Sequence, residues 1–396
     1  MMLAVDISLC LLGLPVLAAA LYLFCATLLS ARPSEPVARE PERRFRFIVP
    51  AHNESAGIAE TVKSLRAVDY PSALFDVLVV ADNCDDDTAE RAREAGAVVL
   101  ERKDAEKRGK GYALLLAFSK LPADVDAVVV VDADTLISAN LLRAFAARRE
   151  QGAVAVQADY AVRNPNAAWR TRLIAIAFGA FHIVRSRARE ALGLSCGLRG
   201  NGMCFSRAVL AEVPHNAFSI VEDVEYGLRL GEAGHRVHYA DEAHVYGEMV
   251  SSAAAASSQR RRWEEGRKEL VQKNATRLLR LGLGTGNKIL TDLALDLLIP
   301  PLSRIAAAAL FGVLVAFGLS YLAQRTALSL FYFGFCVFAL VSYVLRGWSV
   351  SGTGLRGLLD LGLAPVYVIW KARLRLTKAS RPTQSWVRTK REQQSE

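Results

Sequence analysis

What this 396-residue chain lacks already excludes several readings. Its six cysteines form no spaced set: Cys10, Cys25 and Cys336 sit inside apolar runs, and Cys84, Cys196 and Cys204 are scattered through the polar middle. Neither a disulfide framework nor a zinc site follows from that pattern. The six histidines form no metal cluster. No Gly-x-Gly-x-x-Gly follows a strand-like run, and there is no Walker loop, so two common phosphate-cradling signatures are missing. The N-terminus lacks the basic start of a secretory signal. From Lys371 to Arg391 there is no acid, against eight lysines or arginines. That tail supplies most of the formal charge of +9, so the charge is not a nucleic-acid footprint.

Apolar residues are in excess, at 52%, and concentrate at the two ends. Residues 7 to 30 carry no charge and predict one membrane-anchoring helix of roughly 36 Å. Asp6 precedes this run, and Arg32, Arg39, Arg43, Arg44 and Arg46 follow it. The positive-inside rule then puts residue 31 onward in the cytoplasm. A second apolar block begins near Ile289 and breaks at Pro300-Pro301. Ile305 to Leu322 and Leu328 to Leu345 read as two spans, joined by a turn holding Gln324 and Arg325. Leu358 to Trp370 contains Asp360 and, at about thirteen residues, is short for a span; it and 289–301 read as interfacial. Two crossings keep the basic tail cytoplasmic. The expected organisation is an anchor at 1–31, a cytoplasmic domain at 44–285, transmembrane and interfacial helices at 286–374, and a basic cytoplasmic tail at 375–396.

The middle of the chain alternates strand and helix patterns. Arg46 to Pro50 and Phe75 to Ala81 read as strands, with Ile58, Val62 and Leu65 marking the apolar face of a helix between them. Val98 to Leu100 is a short third strand, and Gly111 to Ser119 is helical in pattern. Val128-Val129-Val130-Val131 has no amphipathic period and reads as a central strand covered on both faces. Such alternation predicts an α/β domain with a parallel sheet and right-handed crossovers.

The polar residues fall just past the ends of these strands, where open α/β sheets place ligands. Ala51-His52-Asn53-Glu54, Asp82-Asn83 and Asp132-Ala133-Asp134 occupy those positions, with Lys107-Arg108-Gly109-Lys110-Gly111 just before a helix. Asp132 and Asp134 share one side of an extended chain, so together they suit a hard cation such as Mg²⁺ or Mn²⁺. An isolated Asp-x-Asp would read as an acidic turn; the rest of the chain favours the cation. One rim that gathers carboxylates and lysines on a glycine-flexible loop suits a nucleoside diphosphate. Glu222-Asp223 opens a helix on which Val224, Leu228 and Leu230 face inward; the pair is either a cap or a base kept ionised by the helix dipole. In Gln259-Arg260-Arg261-Arg262-Trp263, Gln259, Arg262 and Trp263 share one helical face. An arginine beside an indole can grip phosphate and stack a sugar; the alternative is a basic, membrane-facing helix that also uses Arg267.

These motifs, in this order, resemble a membrane-anchored family 2 glycosyltransferase of the GT-A (Rossmann-like) fold. The resemblance covers roughly residues 45 to 270, through Val49-Pro50-Ala51-His52-Asn53-Glu54, Asp82, Asp132-Ala133-Asp134, Glu222-Asp223 and Gln259-Arg260-Arg261-Arg262-Trp263. The last resembles the Gln-x-x-Arg-Trp element of cellulose, chitin and hyaluronan synthases and of ceramide glucosyltransferase-like enzymes. The resemblance implies a donor site with Glu54 and Asp82 at the nucleotide and Lys110 beside it. It implies a metal at Asp132 and Asp134, and Asp223 as general base. Glu222, Gln259, Arg262 and Trp263 would line the acceptor and diphosphate pocket, with Arg199, Gly200 and Asn201 in the loop that admits the acceptor. Trp386 to Lys390 is similar to a synthase gating loop, although Arg388 replaces the usual valine.

The implied activity is inverting, metal-dependent transfer of a sugar from a nucleotide donor, UDP-linked by resemblance, to a growing polysaccharide or a lipid-linked acceptor. Membrane lipid is an expected partner, and nucleic acid is not. A single-addition enzyme acting on lipid is the alternative. From other classes come a catalytically silent scaffold that binds sugar nucleotides and a transporter. Asp132, Asp134 and Asp223 are all present, which a silent scaffold would not need, and the spans lack the paired polar or broken helices of a transporter.

Overall fold

The computed structural model describes residues 2–37, 39–249 and 253–365, the side chains of 2 and 253–264 excepted. The chain opens with α1 (Met2–Leu12) and α2 (Leu14–Leu28), which meet at 55°. The single straight helix expected over residues 7 to 30 is therefore a bent pair. Pro15 lies in the first turn of α2, where its missing N–H costs nothing. A Cβ on Gly13 would come within 2.7 Å of the Phe333 ring, so the bend sits where only glycine fits against a later helix.

Eight strands then build one sheet: β1 (Phe45–Ala51), β2 (Phe75–Asp82), β3 (Val98–Arg102), β4 (Ala127–Val130), β5 (Thr135–Ile137), β6 (Ala155–Val162), β7 (Met203–Ser206) and β8 (Val237–Gly247). Their spatial order is β3-β2-β1-β4-β7-β6-β8-β5. The sheet is mixed, which corrects the wholly parallel expectation. β3, β2, β1 and β4 run parallel, but β7 pairs antiparallel with both β4 and β6, and β5 with β8. Helices still separate β5 from β6, β6 from β7 and β7 from β8, so alternation alone does not fix strand direction in this half, where β7 and β5 run against their neighbours.

Period-two alternation along β1 sends Phe45, Phe47, Val49 and Ala51 into one core and Ile48 into the other. The first core is closed by α3 (Ile58–Arg66), α4 (Thr88–Glu94) and α6 (Leu141–Glu150); the second by α5 (Lys110–Ser119), which precedes α6 in the chain, and by Tyr226 and Leu230 further on. Strand order reverses between β1 and β4, because β2 and β3 lie on one side of β1 and β4 on the other. A crevice opens at such a switch point, beyond the strand ends.

Next come α7 (Trp169–Phe178), a π-helical turn at Gly179–Val184, α8 (Arg185–Ala191), α9 (Arg207–Glu212) and α10 (Glu222–Glu232). The C-terminal part holds α11 (Ala253–Thr285), the amphipathic α12 (Lys288–Leu298), α13 (Leu302–Ala323), α14 (Leu328–Val350) and α15 (Gly354–Asp360). α13 and α14 are long and apolar enough to cross a membrane, and the α1–α2 pair forms a third, broken candidate. Leu310, Phe311, Leu314, Phe317 and Phe331 project outward from the two helices, as lipid-facing residues would. On the inner side, Leu23, Val184, Ile305, Leu340 and Tyr343 form one cluster that seats the apolar helices on the π turn. The buried Asp6 carboxylate accepts the N–H groups of Leu328 and Ser329 and so caps α14 from α1. Trp386 to Lys390 and the 375–396 tail lie outside the described residues.

Candidate active site

One cavity of about 590 Å³ occupies the crevice at the switch point. Glu54, Lys110, Asp132, Asp134, Arg199, Gly200, Glu222 and Asp223, all singled out from sequence, line it together. They come from five separate stretches of chain, and the fold is what unites them.

At the centre is Lys110, the first residue of α5. Its Nζ lies 2.6 Å from Asp132 Oδ1 and 3.6 Å from Glu222 Oε1, and also donates to the Gly200 carbonyl. Burial alone would lower the ammonium's pKa, but the charges of Asp132 and Glu222 outweigh it and hold it raised. Lys110 is thus a permanent cation linking the end of β4 to the start of α10.

In the α10 pair the shift is again upward, and for a carboxyl that favours the neutral form. Burial pushes Glu222 up to about 7, against the attraction of Lys110, and the neighbouring Asp223 charge pushes the same way. Asp223 is also raised, by burial first, while the Val224 N–H and Lys110 oppose the shift. A carboxylate held in this way is a better proton acceptor near neutral pH than a solvated one. Gly200 makes room for it: φ is +80°, and an added Cβ would lie 3.3 Å from Asp223 Oδ2.

Asn201 departs from expectation. It is fully buried and absent from the cavity wall, with its Oδ1 accepting from the Asp132 N–H at 3.1 Å and its Nδ2 donating to Thr135 Oγ1 at 2.8 Å. It holds the turn that carries Asp132 and Asp134 and does not face an acceptor. Asp82 is likewise withdrawn. It is 1% exposed, and its Oδ1 accepts from Arg102 at 2.6 Å and from Asn83 at 3.0 Å. Its Oδ2 has no partner among the described residues. The loops around it are tied together, His52 Nδ1 to the Asp82 carbonyl and the Asp104 N–H to Asn83 Oδ1, each at 2.8 Å.

The helical backbone continues through Gln259, Arg262 and Trp263, but their side chains lie outside the described residues. Arg267 on the same helix does not face a membrane. It is half-buried, lines the cavity, and donates to the Asp296 carbonyl at 2.6 Å, at the end of α12.

Several residues in or beside the cavity escaped the sequence reading. Arg102, next to the site, ends β3, so the rule that placed Asp82 at a strand end applies to it equally. Asp296 stands in an apolar segment, where a charge is itself a signal. Arg189 and His182 gave none, since each lies in an ordinary mixed helical stretch. Burial lowers the His182 pKa to about 3, so this imidazole is neutral in the cavity wall.

Among the described residues, no three His, Cys, Asp or Glu converge tightly enough to hold a metal unaided. Asp132 and Asp134 nevertheless both face the cavity from one turn. Their hard oxygen donors fit Mg²⁺ or Mn²⁺ once a bound diphosphate supplies the remaining oxygens.

Comparisons with known proteins bear on the family and the fold. Residues 41–266 match the family described as glycosyltransferase like family 2. The chain is 29% identical to the beta-monoglucosyldiacylglycerol synthase of a Nostoc species over 227 residues, 56% of this chain and 48% of that protein. It is 30% identical to the synthase of the same name from Synechocystis over 229 residues, 56% and 47% of the two chains. It therefore spans about half the length of the curated relatives it matches. Among solved structures, the mannosyltransferase PcManGT from Pyrobaculum calidifontis, in complex with GDP-Man and Mn²⁺, superposes with a TM-score of 0.53 at 19% identity, covering 88% of this chain and 99% of the other. That likeness bears on the fold, which is of the GT-A type.

Proposed function

The chain belongs to the glycosyltransferase like family 2, and from that premise we propose that it transfers a sugar from a UDP-linked donor to a lipid-linked acceptor at the cytoplasmic face of a membrane, with inversion. That it is a nucleotide-sugar glycosyltransferase follows from the family. The observation that carries the finer reading is the convergence of Asp132, Glu222 and Asp223 around the single ammonium of Lys110.

Inversion needs one displacement: the acceptor oxygen bonds to the anomeric carbon from one face as the bond to the diphosphate oxygen breaks on the other. Asp223 takes the acceptor's hydroxyl proton, a role worth roughly 10²–10⁴ in rate. Lys110 offsets charge that develops on the departing diphosphate. Glu54 and Arg108 line the donor side of the cavity. Asp132 and Asp134 are the residues to hold Mg²⁺ or Mn²⁺; when bound, the ion supplies Lewis-acid stabilisation of the diphosphate. Asn201 sets the Asp132 turn as a positioning residue.

The lipid acceptor is supported by the apolar helices packed beside the site and by relatives named for a glucosylated diacylglycerol. The cytoplasmic orientation is supported by the arginines that follow α2. A polymer product is the second reading, favoured by Gln259, Arg262 and Trp263 in their family spacing. The test incubates the full chain in native lipid with a panel of radiolabelled UDP-sugars and one GDP-sugar, with Mn²⁺ or with EDTA, followed by product sizing. One new lipid product from a UDP-sugar, lost in EDTA, is expected. A ladder of products means polymerisation, and transfer from the GDP-sugar alone would overturn the donor assignment.

A further inference from the structure

The wall of the cavity built by α8, α11, α12 and the loop before β7 holds more positive than negative charge. Arg189, Arg199 and Arg267 line it beside one acid, Asp296, while Arg185 and Asp292 join the same ion-pair network outside the lining and Asp223 of α10 lies within electrostatic reach of Arg199. Asp296 Oδ1 already serves two guanidiniums, Arg185 at 2.8 Å and Arg189 at 3.2 Å. Arg199 has no acidic partner among the described residues; its Nη2 donates to the Cys196 carbonyl at 3.0 Å, and its guanidinium lies 4.3 Å from the centre of the Phe181 ring. Arg267 satisfies itself on backbone carbonyls. Two buried nitrogens, Arg189 Nη1 and Arg199 Nε, have no partner among the described residues. Arg189 is 3% exposed.

Excess buried guanidinium is costly unless an anion completes it. The planar fork of arginine matches phosphate oxygens in particular. The same network reaches the apolar helices: Arg189 Nη2 donates to Tyr22 of α2 at 2.7 Å, and Arg185 Nε to Tyr343 of α14 at 2.9 Å. A ligand here has its charged group in the cavity and its apolar part within reach of the helices that can span a membrane. Asp223 shares the cavity, so a hydroxyl next to that charged group is within the same chamber.

We infer that this wall binds the phosphate of an anionic lipid acceptor whose headgroup carries a free hydroxyl, with Arg189, Arg199 and Arg267 as the phosphate-facing groups. The inference rests on the glycosyl-transfer reading for the word acceptor, but the binding it asserts is measurable without turnover. It separates this chain's acceptor from a neutral diacylglycerol.

The test uses the full chain in maltoside micelles. Tritiated phosphatidylglycerol and diacylglycerol with the same acyl chains are titrated separately, with inorganic phosphate as competitor and UDP titrated in parallel. Phosphatidylglycerol is expected to bind at least about tenfold more tightly than diacylglycerol, the scale of one charge-assisted contact set. Arg199→Gln should remove that preference and leave UDP affinity within about twofold of wild type. Equal binding of the two lipids by the wild-type protein, a comparison that needs no variant, overturns the inference. So does displacement by inorganic phosphate at equal concentration, which assigns the site to a free anion. An equal loss of UDP and lipid binding in Arg199→Gln would move these arginines to the donor site and overturn it too. Failure of the wild-type chain to bind UDP would instead count against the glycosyltransferase reading of the donor site.

Discussion

The Lys110 ammonium lies 2.6 Å from the Asp132 carboxylate, tying the first turn of α5 to the end of β4. The contact explains why a lysine on a glycine-flanked loop belongs in this sequence. Lys110 carries the fixed positive charge around which three carboxylates of the cavity, Asp132, Glu222 and Asp223, are arranged. Lys110→Met leaves Asp132 and Glu222 without their shared cation. UDP affinity measured calorimetrically is expected to fall about tenfold or more, and the thermal midpoint in detergent to fall with it, since an uncompensated buried charge is destabilising.

The raised pKa values of Glu222 and Asp223 set the pH dependence. A base must be ionised to accept a proton, so kcat/KM should fall as pH drops through the ionisation of the pair, above the usual carboxylate range. The two groups titrate as a unit. Glu222→Gln removes one carboxylate and should shift this acid limb to lower pH. Stability runs in the opposite direction. The folded state binds the Glu222 proton more tightly than the unfolded chain, whose value is near 4.5. Its contribution is therefore fully favourable below about 4.5 and is lost as pH rises towards about 7. A series of thermal midpoints across that window, wild type against Glu222→Gln, checks the sign.

Gly200 occupies φ +80° with Asp223 directly beside it. Gly200→Ala forces a side chain into the left-handed region and against the proposed base. Turnover is expected to fall at least about tenfold, while the cost in stability stays near 1–3 kcal/mol. Retained UDP binding with lost transfer in that variant supports the placement.

Away from the cavity, Arg148 and Glu242 form a buried ion pair, with Arg148 Nη2 at 2.8 Å from Oε2 and Nε on the Tyr239 carbonyl at 2.9 Å. Arg148→Met strands Glu242 in the interior and should cost about 3–5 kcal/mol. Chemical denaturation of the variant measures this, and the double substitution with Glu242→Gln should recover part of the loss.

Much of this arrangement was legible from sequence because the central strands are short, largely apolar and followed closely by polar or acidic residues. β1, β2 and β4 follow from Phe45–Ala51, Phe75–Asp82 and the valines before Asp132. The antiparallel half was not legible, since β7 is four residues flanked by glycine and a helix, with no alternation to reveal its direction. Nor was the bend at Gly13, because a long uncharged run outweighs one glycine and one proline in any count of hydrophobicity. Asn201 sits in a loop with two glycines and looks exposed by composition; its burial is decided by the Asp132 turn folding over it. The arginines of α8 look like an ordinary basic helix, and only the return of α12 with Asp292 and Asp296 makes them interior.

The most direct test of the account is Asp223→Asn in the purified full chain, with release of UDP from a UDP-sugar in native lipid measured beside UDP binding. Turnover is expected to fall by about 10²–10⁴, with UDP affinity essentially unchanged. Wild-type turnover by that variant would contradict it.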